Sequence, residues 1–255
     1  MPLPRTGAGD LAAHLDGLGI AAGARLVVHS RLLAFGQLDG GAEMAAGALL
    51  GRIGPAGTLI VPTYTFDAAQ PYDPVTRPGE GTGALSELIR QMPGAIRSRC
   101  PIHNHAGIGP DSRLLAGTDP ARSIGPGSDF AAMLDGDFTL VLLGCGFTEG
   151  CTYLHHMEAM AEVPYREWIE LRREVWDADG RPHSMTVRYY GHVGERRTAD
   201  FEAVRHRLAE RGLLGTAPCP FGASYVCRLA DLHQVAAEML ADDPFVLVGG
   251  RHGRP

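Results

Sequence analysis

The chain has 255 residues, 45% hydrophobic and 20% charged, enough apolar content to bury an ordinary core and too much for a disordered chain. Its formal net charge of -6 excludes the basic footprint expected of a nucleic-acid binder. All 23 basic residues are Arg, a trait of composition rather than of chemistry, and no run reaches the roughly 20 apolar residues that span a bilayer.

The N-terminus carries no apolar signal segment. The cysteines Cys100, Cys145, Cys151, Cys219 and Cys227 are odd in number and scattered, so a reduced, cytoplasmic protein is expected. Along the chain, Leu11, Leu15 and Leu18 share one face of a helix over 10–20. Residues 25–29 read as a strand, 42–53 as a helix, 54–57 as a Gly-Pro turn and 58–61 as the next strand. This β-α-β rhythm predicts parallel pairing with crossover helices. Residues 66–82, rich in Pro, Gly and Asp, read as a long functional loop. A helix is predicted over 84–91, and 96–101 leads into a His-rich turn, His103-Asn104-His105. The apolar run 139–146 reads as a buried strand closed by a glycine turn, with a helix after it. Beyond 166 the texture changes. Residues 168–176 and 184–190 alternate around Asp179-Gly180, which predicts a hairpin. A helix over 201–211, a strand over 223–228 and a closing helix over 229–240 complete the chain. The expectation is one domain over 1–255 of the α/β class: a central, mostly parallel sheet flanked by helices, with an antiparallel α+β C-terminal section.

The most informative stretch is Cys151-Thr152-Tyr153-Leu154-His155-His156-Met157-Glu158. His155 and Glu158 stand three residues apart in the first turns of a helix, so they share a face and the carboxylate can orient the imidazole. A histidine held that way is a general base near neutral pH. Its place after a buried strand is where α/β folds keep their sites. Against this stands a core histidine, and a cysteine nucleophile at Cys151 paired with His155. A zinc hydrolase is the rival class, using Cys100, His103, His105, Cys151, His155 and His156 as ligands. Their spacing is irregular, and adjacent His155 and His156 point about 100° apart on a helix. No metal is expected.

Eight segments in order, over roughly residues 10–240, resemble the antibiotic N-acetyltransferase family, typified by the aminoglycoside 3-N-acetyltransferases. They are Val28-His29-Ser30 with Gly36 and Gly40-Gly41; the run from Gly54-Pro55 to Pro62-Thr63; Tyr72-Asp73-Pro74; Thr82-Gly83 to Glu87; Pro93-Gly94 to Arg97-Ser98; Pro101-Ile102-His103-Asn104; Gly127-Ser128 to Phe130; and Thr152 through His155 and Glu158 to Val163-Pro164-Tyr165. The resemblance implies direct transfer of an acetyl or similar acyl group from acetyl-CoA to a primary amine, without a covalent enzyme intermediate. An acyl chain on a carrier protein shares the same pantetheine arm. The acceptor is a small molecule, a natural-product intermediate or antibiotic; a homodimer is compatible, and no nucleic acid or membrane is involved. A non-catalytic CoA-binding or small-molecule-binding protein on the same fold is the remaining alternative.

On this reading His155 is the base, Glu158 orients it, and His103, Thr152 or backbone N–H groups near Ser30 stabilise the oxyanion. His29, Ser30 and Arg31 hold coenzyme, with Thr82, Gly83 and Ser128 as further contacts. Tyr64, Asp67 and Asp73 face the acceptor, whose side is completed by the section from about 166. Two segments depart from the family pattern. Where aminoglycoside-acting members commonly read Asp-Ser-Asn-Thr, this chain has Thr148-Glu149-Gly150-Cys151-Thr152. Where they carry dense acid, it has Gly194-Glu195-Arg196-Arg197-Thr198-Ala199-Asp200. A polyamine gains from clustered carboxylates and loses from arginines, so the expected acceptor is an amine on a neutral or anionic molecule.

Overall fold

The computed structural model describes residues 3–177, 179–194 and 196–249; Glu195, within the second departing segment, lies outside them. The order of elements is β1 (Arg5–Thr6), α1 (Ala8–Gly17), β2 (Arg25–Ser30), β3 (Gln37–Leu38), α2 (Gly41–Ile53) and β4 (Thr58–Pro62). A long loop leads to α3 (Gly83–Gln91), β5 (Ile96–Arg97), β6 (His105–Ile108), α4 (Asp129–Asp135) and β7 (Thr139–Leu143). Then come α5 (Phe147–Gly150), α6 (Tyr153–Met160), the pair β8 (Arg166–Trp176) and β9 (Pro182–His192), α7 (Glu202–Glu210), β10 (Gly215–Cys219), β11 (Gly222–Arg228) and α8 (Leu229–Asp242).

Seven strands form one sheet in the order β10-β11-β7-β2-β4-β6-β5. Its centre is parallel, β2 pairing with β4 on one side and β7 on the other, and the strands outside these three run antiparallel. The central strands are apolar on both faces, as strands covered by helices must be. Leu26, Val28, Leu59, Val61, Val141 and Leu143 pack with Leu11, Leu15, Leu49, Leu85 and Ile89 of α1, α2 and α3. The alternate residues Val27, Ile60, Leu140 and Leu142 pack with Phe130, Leu154, Met157, Leu232 and Val235 of α4, α6 and α8. The period of two along each strand thus divides the core into two layers.

Three segments differ from expectation. His105 does not belong to a turn: it opens β6, paired with Pro62. Its polarity hides it from any hydrophobic pattern, because the side chain is fully buried on a carboxylate partner instead of in an apolar core. β10 carries Pro218, which reads as a strand breaker; it is tolerated because β10 is the sheet edge. The hairpin is longer than its alternation suggested, with Arg166 opposite His192 at one end and Trp176 opposite Pro182 at the other. Among the described residues no helix is long and apolar enough to cross a membrane.

What positions the site is the reversal of strand order at β2. The chain leaves β2 for β4 on one side and later returns as β7 on the other, so the loops after these strands part and leave a crevice at their C-terminal ends. The turn after β7 is fixed by Gly144, whose φ is +75°; a Cβ there would lie 2.8 Å from Ala34 Cβ and 2.9 Å from the Arg31 carbonyl. No side chain fits, so the loops after β2 and β7 stay in close contact at the crevice floor.

Candidate active site

A cavity of about 620 Å³ opens at this crevice. Among its lining residues are His29, Ser30, Arg31, Tyr64, Thr82, His103, Thr152 and His155, eight of the residues expected from sequence. They come from the ends of β2 and β4, the start of α3, the entry to β6 and the first turn of α6. Gly83 sits directly behind Ser30, with its Cβ position 3.8 Å from the Ser30 carbonyl.

At the wall of the cavity His155 Nδ1 lies 2.6 Å from Glu158 Oε2. A carboxylate only accepts, so Nδ1 carries the proton of this bond and Nε2 is left free of it. Glu158 is completely buried, whereas His155 is 28% exposed through its cavity face. Two more groups grip the carboxylate. Tyr165 donates its hydroxyl to Oε1 at 2.9 Å, and Arg166 Nε forms an ion pair with Oε2 at 2.8 Å without the alignment of a hydrogen bond. Arg166 also reaches the Tyr190 carbonyl at 3.2 Å, and its Nη2 lies 3.2 Å from His155 Nδ1. With the Nδ1 proton committed to Glu158, Arg166 acts there as a fixed cation that neutralises the buried charge. Phe201 closes the back of the imidazole at 5.2 Å between ring centroids.

Behind the cavity runs a second buried network. Asp129 Oδ2 takes hydrogen bonds from Ser98 Oγ at 2.6 Å and from the His105 backbone N–H at 3.2 Å, and lies 3.0 Å from His105 Nδ1. His105 Nε2 in turn meets the Tyr64 hydroxyl at 3.3 Å. Burial pushes the Tyr64 phenol well up, so it stays neutral, and Thr152 stands beside it. His103 is held by Ser123 Oγ at 2.6 Å and stacked on Tyr189 of the hairpin at 5.8 Å.

Burial, helped by the charge of other histidines, holds His29, His103 and His156 at a pKa of about 3. His103 therefore serves the cavity as a neutral imidazole, with its unprotonated form available to share one N–H. The sign for stability follows from linkage. These groups are neutral when folded and bind protons near 6.5 when unfolded, so their contribution is complete above pH 6.5 and falls as pH drops toward 3. Each histidine steepens acid denaturation by up to about 1.4 kcal/mol per pH unit inside that window. Urea midpoints measured at intervals from pH 7 to 4 are expected to fall steeply; a flat profile would mean these histidines are charged or solvated in the fold.

Other expected residues take different places. Ser128 is fully buried and gives its hydroxyl to the Gly125 carbonyl at 2.6 Å at the start of α4, so it has no contact to offer a coenzyme. Asp73 caps its own loop, accepting from Val75 N–H at 2.8 Å and Thr76 Oγ1 at 2.6 Å, and Asp67 accepts from Ala69 N–H at 2.9 Å. Asp73 lines a separate cavity of about 510 Å³ between the long loop and the hairpin tip, among Tyr72, Val75, Trp176 and Met185, away from His155. Both aspartates thus shape the 66–82 loop. Cys151 is buried, and burial raises its thiol well above the ordinary range, which leaves no thiolate nucleophile. Nor do the six candidate zinc ligands converge: His103, His155 and His156 each bind a different protein group, and among the described residues no three metal-ligating side chains are grouped.

The sequence reading missed Glu80, Phe66, Tyr189 and Arg196, which also line the cavity, and the clamping roles of Tyr165 and Arg166. Tyr165 and Arg166 directly follow the His-Glu helix, which was the available signal. Tyr189 and Arg196 arrive through the hairpin, and nothing local marks them.

Fold and site together define an α/β protein with a histidine–carboxylate pair in a cleft at the strand switch. Residues 27–241 match the family model for aminoglycoside 3-N-acetyltransferase, and the chain belongs to that family. It is 33% identical over 195 residues to aminoglycoside N(3)-acetyltransferase VII of Streptomyces paromomycinus, covering 68% of this chain and 66% of the relative. It is 28% identical over 244 residues to aminoglycoside N(3)-acetyltransferase IV of Salmonella, covering 94% and 89%. For the relatives from S. paromomycinus, Streptomyces fradiae and Micromonospora chalcea the match spans only 66%, 65% and 64% of their length. Among solved structures, a mutant of the aminoglycoside acetyltransferase AAC(3)-IVa in complex with a gentamicin superposes with a TM-score of 0.81 at 26% identity, covering 96% of this chain and 92% of that one. AAC-IIIb bound to CoASH shares the fold, with a TM-score of 0.82 at 21% identity over 93% and 97% of the two chains.

Proposed function

We propose that the chain is a CoA-dependent N-acetyltransferase that moves an acetyl group from acetyl-CoA directly to a primary amine of a small molecule. The observation that carries this reading is the His155–Glu158 pair. Nδ1 is committed to a buried carboxylate, and Nε2, with no hydrogen bond among the described residues, is left for the cavity. Family membership and the relatives' names, which specify transfer to the N3 amine of aminoglycosides, support the reaction class. The reduced thiols of all five cysteines fit a cytoplasmic enzyme.

In this reaction the amine nitrogen attacks the thioester carbonyl while His155 Nε2 takes one of its protons. The negative charge that develops on the carbonyl oxygen needs fixed donors, and Thr152, the neutral His103 and the N–H groups around Ser30 border the same cavity. Collapse of the tetrahedral adduct forms the amide, breaks the C–S bond and releases the CoA thiolate, which recovers the proton from His155. Glu158 offsets the imidazolium during the interval. The Ser30–Arg31 turn and the residues Gly81 and Thr82 just before α3 supply hydroxyl, guanidinium and N–H donors for the pantetheine arm and its phosphates.

Titration with acetyl-CoA is expected to raise the melting temperature saturably, and adding a suitable amine should release free CoA. No stabilisation by acetyl-CoA would discard this reading, and stabilisation without transfer to any amine would move it to a CoA-binding protein.

A further inference from the structure

The relatives are named for aminoglycosides, which are polycationic sugars, yet the charges at this cleft are set for the opposite sign. His155 stands between two spaces. On one side is the cavity already described. On the other is a cavity of about 630 Å³ under the hairpin, which shares His155, His103 and Tyr189 with it and adds Arg166, His192 and Arg197. A third, of about 510 Å³, continues outward past Tyr165 and Thr198. Arg196 lines all three.

No described residue lining the second or third cavity is acidic. The carboxylates of the first are already answered by arginines. Glu80 is held by Arg77 at 2.6 Å and by two backbone N–H groups at 2.9 and 3.0 Å, and Glu149 faces Arg31 at 3.7 Å. Glu158 is buried on Arg166. Arg196, by contrast, has no carboxylate within ion-pair distance among the described residues. One more group points the same way: His192 Nδ1 is buried at the second cavity with no hydrogen-bond partner. An unpaired buried nitrogen is costly unless something binds it. A polycation would meet Arg196 with no free carboxylate among the described lining residues to offset it.

We propose that the acceptor for this enzyme is an amine that carries an anionic group, a carboxylate or a phosphoryl, and that Arg196 is the specificity-determining residue that receives the anion. This rests on the N-acetyl-transfer reading. The amine faces His155, and the anion lies toward the hairpin side, where the Arg196 fork gives bidentate geometry to either group and His192 lends one further nitrogen.

The test compares matched acceptors: glucosamine with glucosamine 6-phosphate, 1,4-diaminobutane with 4-aminobutyrate, and gentamicin as the polycation. CoA release is measured for each, and melting-temperature shifts are measured with CoA present, so that binding is read even where turnover is slow. Acetyl-CoA stabilisation alone tests the underlying reading and does not depend on the acceptor's charge. The anionic member of at least one pair is expected to show kcat/KM or affinity higher by about tenfold, one charge-assisted contact. Arg196→Glu should erase that preference while the KM for acetyl-CoA stays put; Arg196→Gln should give an intermediate result. Preference for gentamicin or 1,4-diaminobutane, or no selectivity in either readout, would overturn the proposal. So would a variant that loses affinity for acetyl-CoA and keeps its acceptor preference, since Arg196 would then serve the coenzyme.

Discussion

Replacing His155 with Ala is expected to lower kcat by about 10²–10⁴ and leave the affinity for acetyl-CoA intact, because it removes a proton acceptor and no coenzyme contact. The stability cost should be small for so central a residue. The ring is 28% exposed, and its one strong bond, to Glu158, belongs to a carboxylate that keeps Arg166 and Tyr165 when His155 is gone. A second signature separates a base from a packing residue. Wild type and variant both consume the free amine, so its titration is common to both, and only the wild type carries in addition the pH dependence of a catalytic base. The rate ratio between wild type and variant should therefore vary with pH. Pre-steady-state CoA release, read from about pH 6 to 9, checks this. Equal loss of acetyl-CoA binding and turnover, with a constant ratio across pH, would assign His155 a structural role.

That pair was legible because both members lie on one turn of one helix, where spacing alone sets geometry. The two-faced sheet centre was legible for a similar reason: 26–28, 58–61 and 140–143 are apolar almost without interruption, and only a strand covered on both sides tolerates that. Residues that meet through tertiary structure were not. Asp129, His105 and Tyr64 come from three separate segments, and His105 in isolation reads as a turn residue. Arg196 joins the cleft from the segment that follows β9. Asp67 and Asp73 show the converse case. A carboxylate in a functional loop invites a ligand, but local backbone N–H groups compete for it first, and at an Asx turn they win.

Glu158→Ala is expected to be the most damaging single change to the fold at this site. The carboxylate is entirely buried and serves three partners at once: His155 at 2.6 Å, Arg166 at 2.8 Å and Tyr165 at 2.9 Å. Removing it strands the guanidinium, which is only 7% exposed, beside a phenol that has lost its acceptor. Breaking a buried ion pair from one side costs about 3–5 kcal/mol, which for a chain of this size corresponds to a fall in melting temperature of roughly 6–20 °C. Glu158→Gln separates shape from charge. The amide oxygen can still accept from His155 Nδ1–H, and the amide nitrogen can donate to a Tyr165 hydroxyl that has turned to accept, so the tautomer of His155 is preserved. What is lost is the negative charge that offsets Arg166 and the imidazolium formed in the reaction. Gln should therefore lose less stability than Ala and less rate than His155→Ala, with coenzyme affinity unchanged. Thermal melts and single-turnover rates on both variants decide the matter. If Gln melts as low as Ala, the charge rather than the shape holds the site together. If Gln retains full activity, Glu158 contributes position alone and no charge to the transition state.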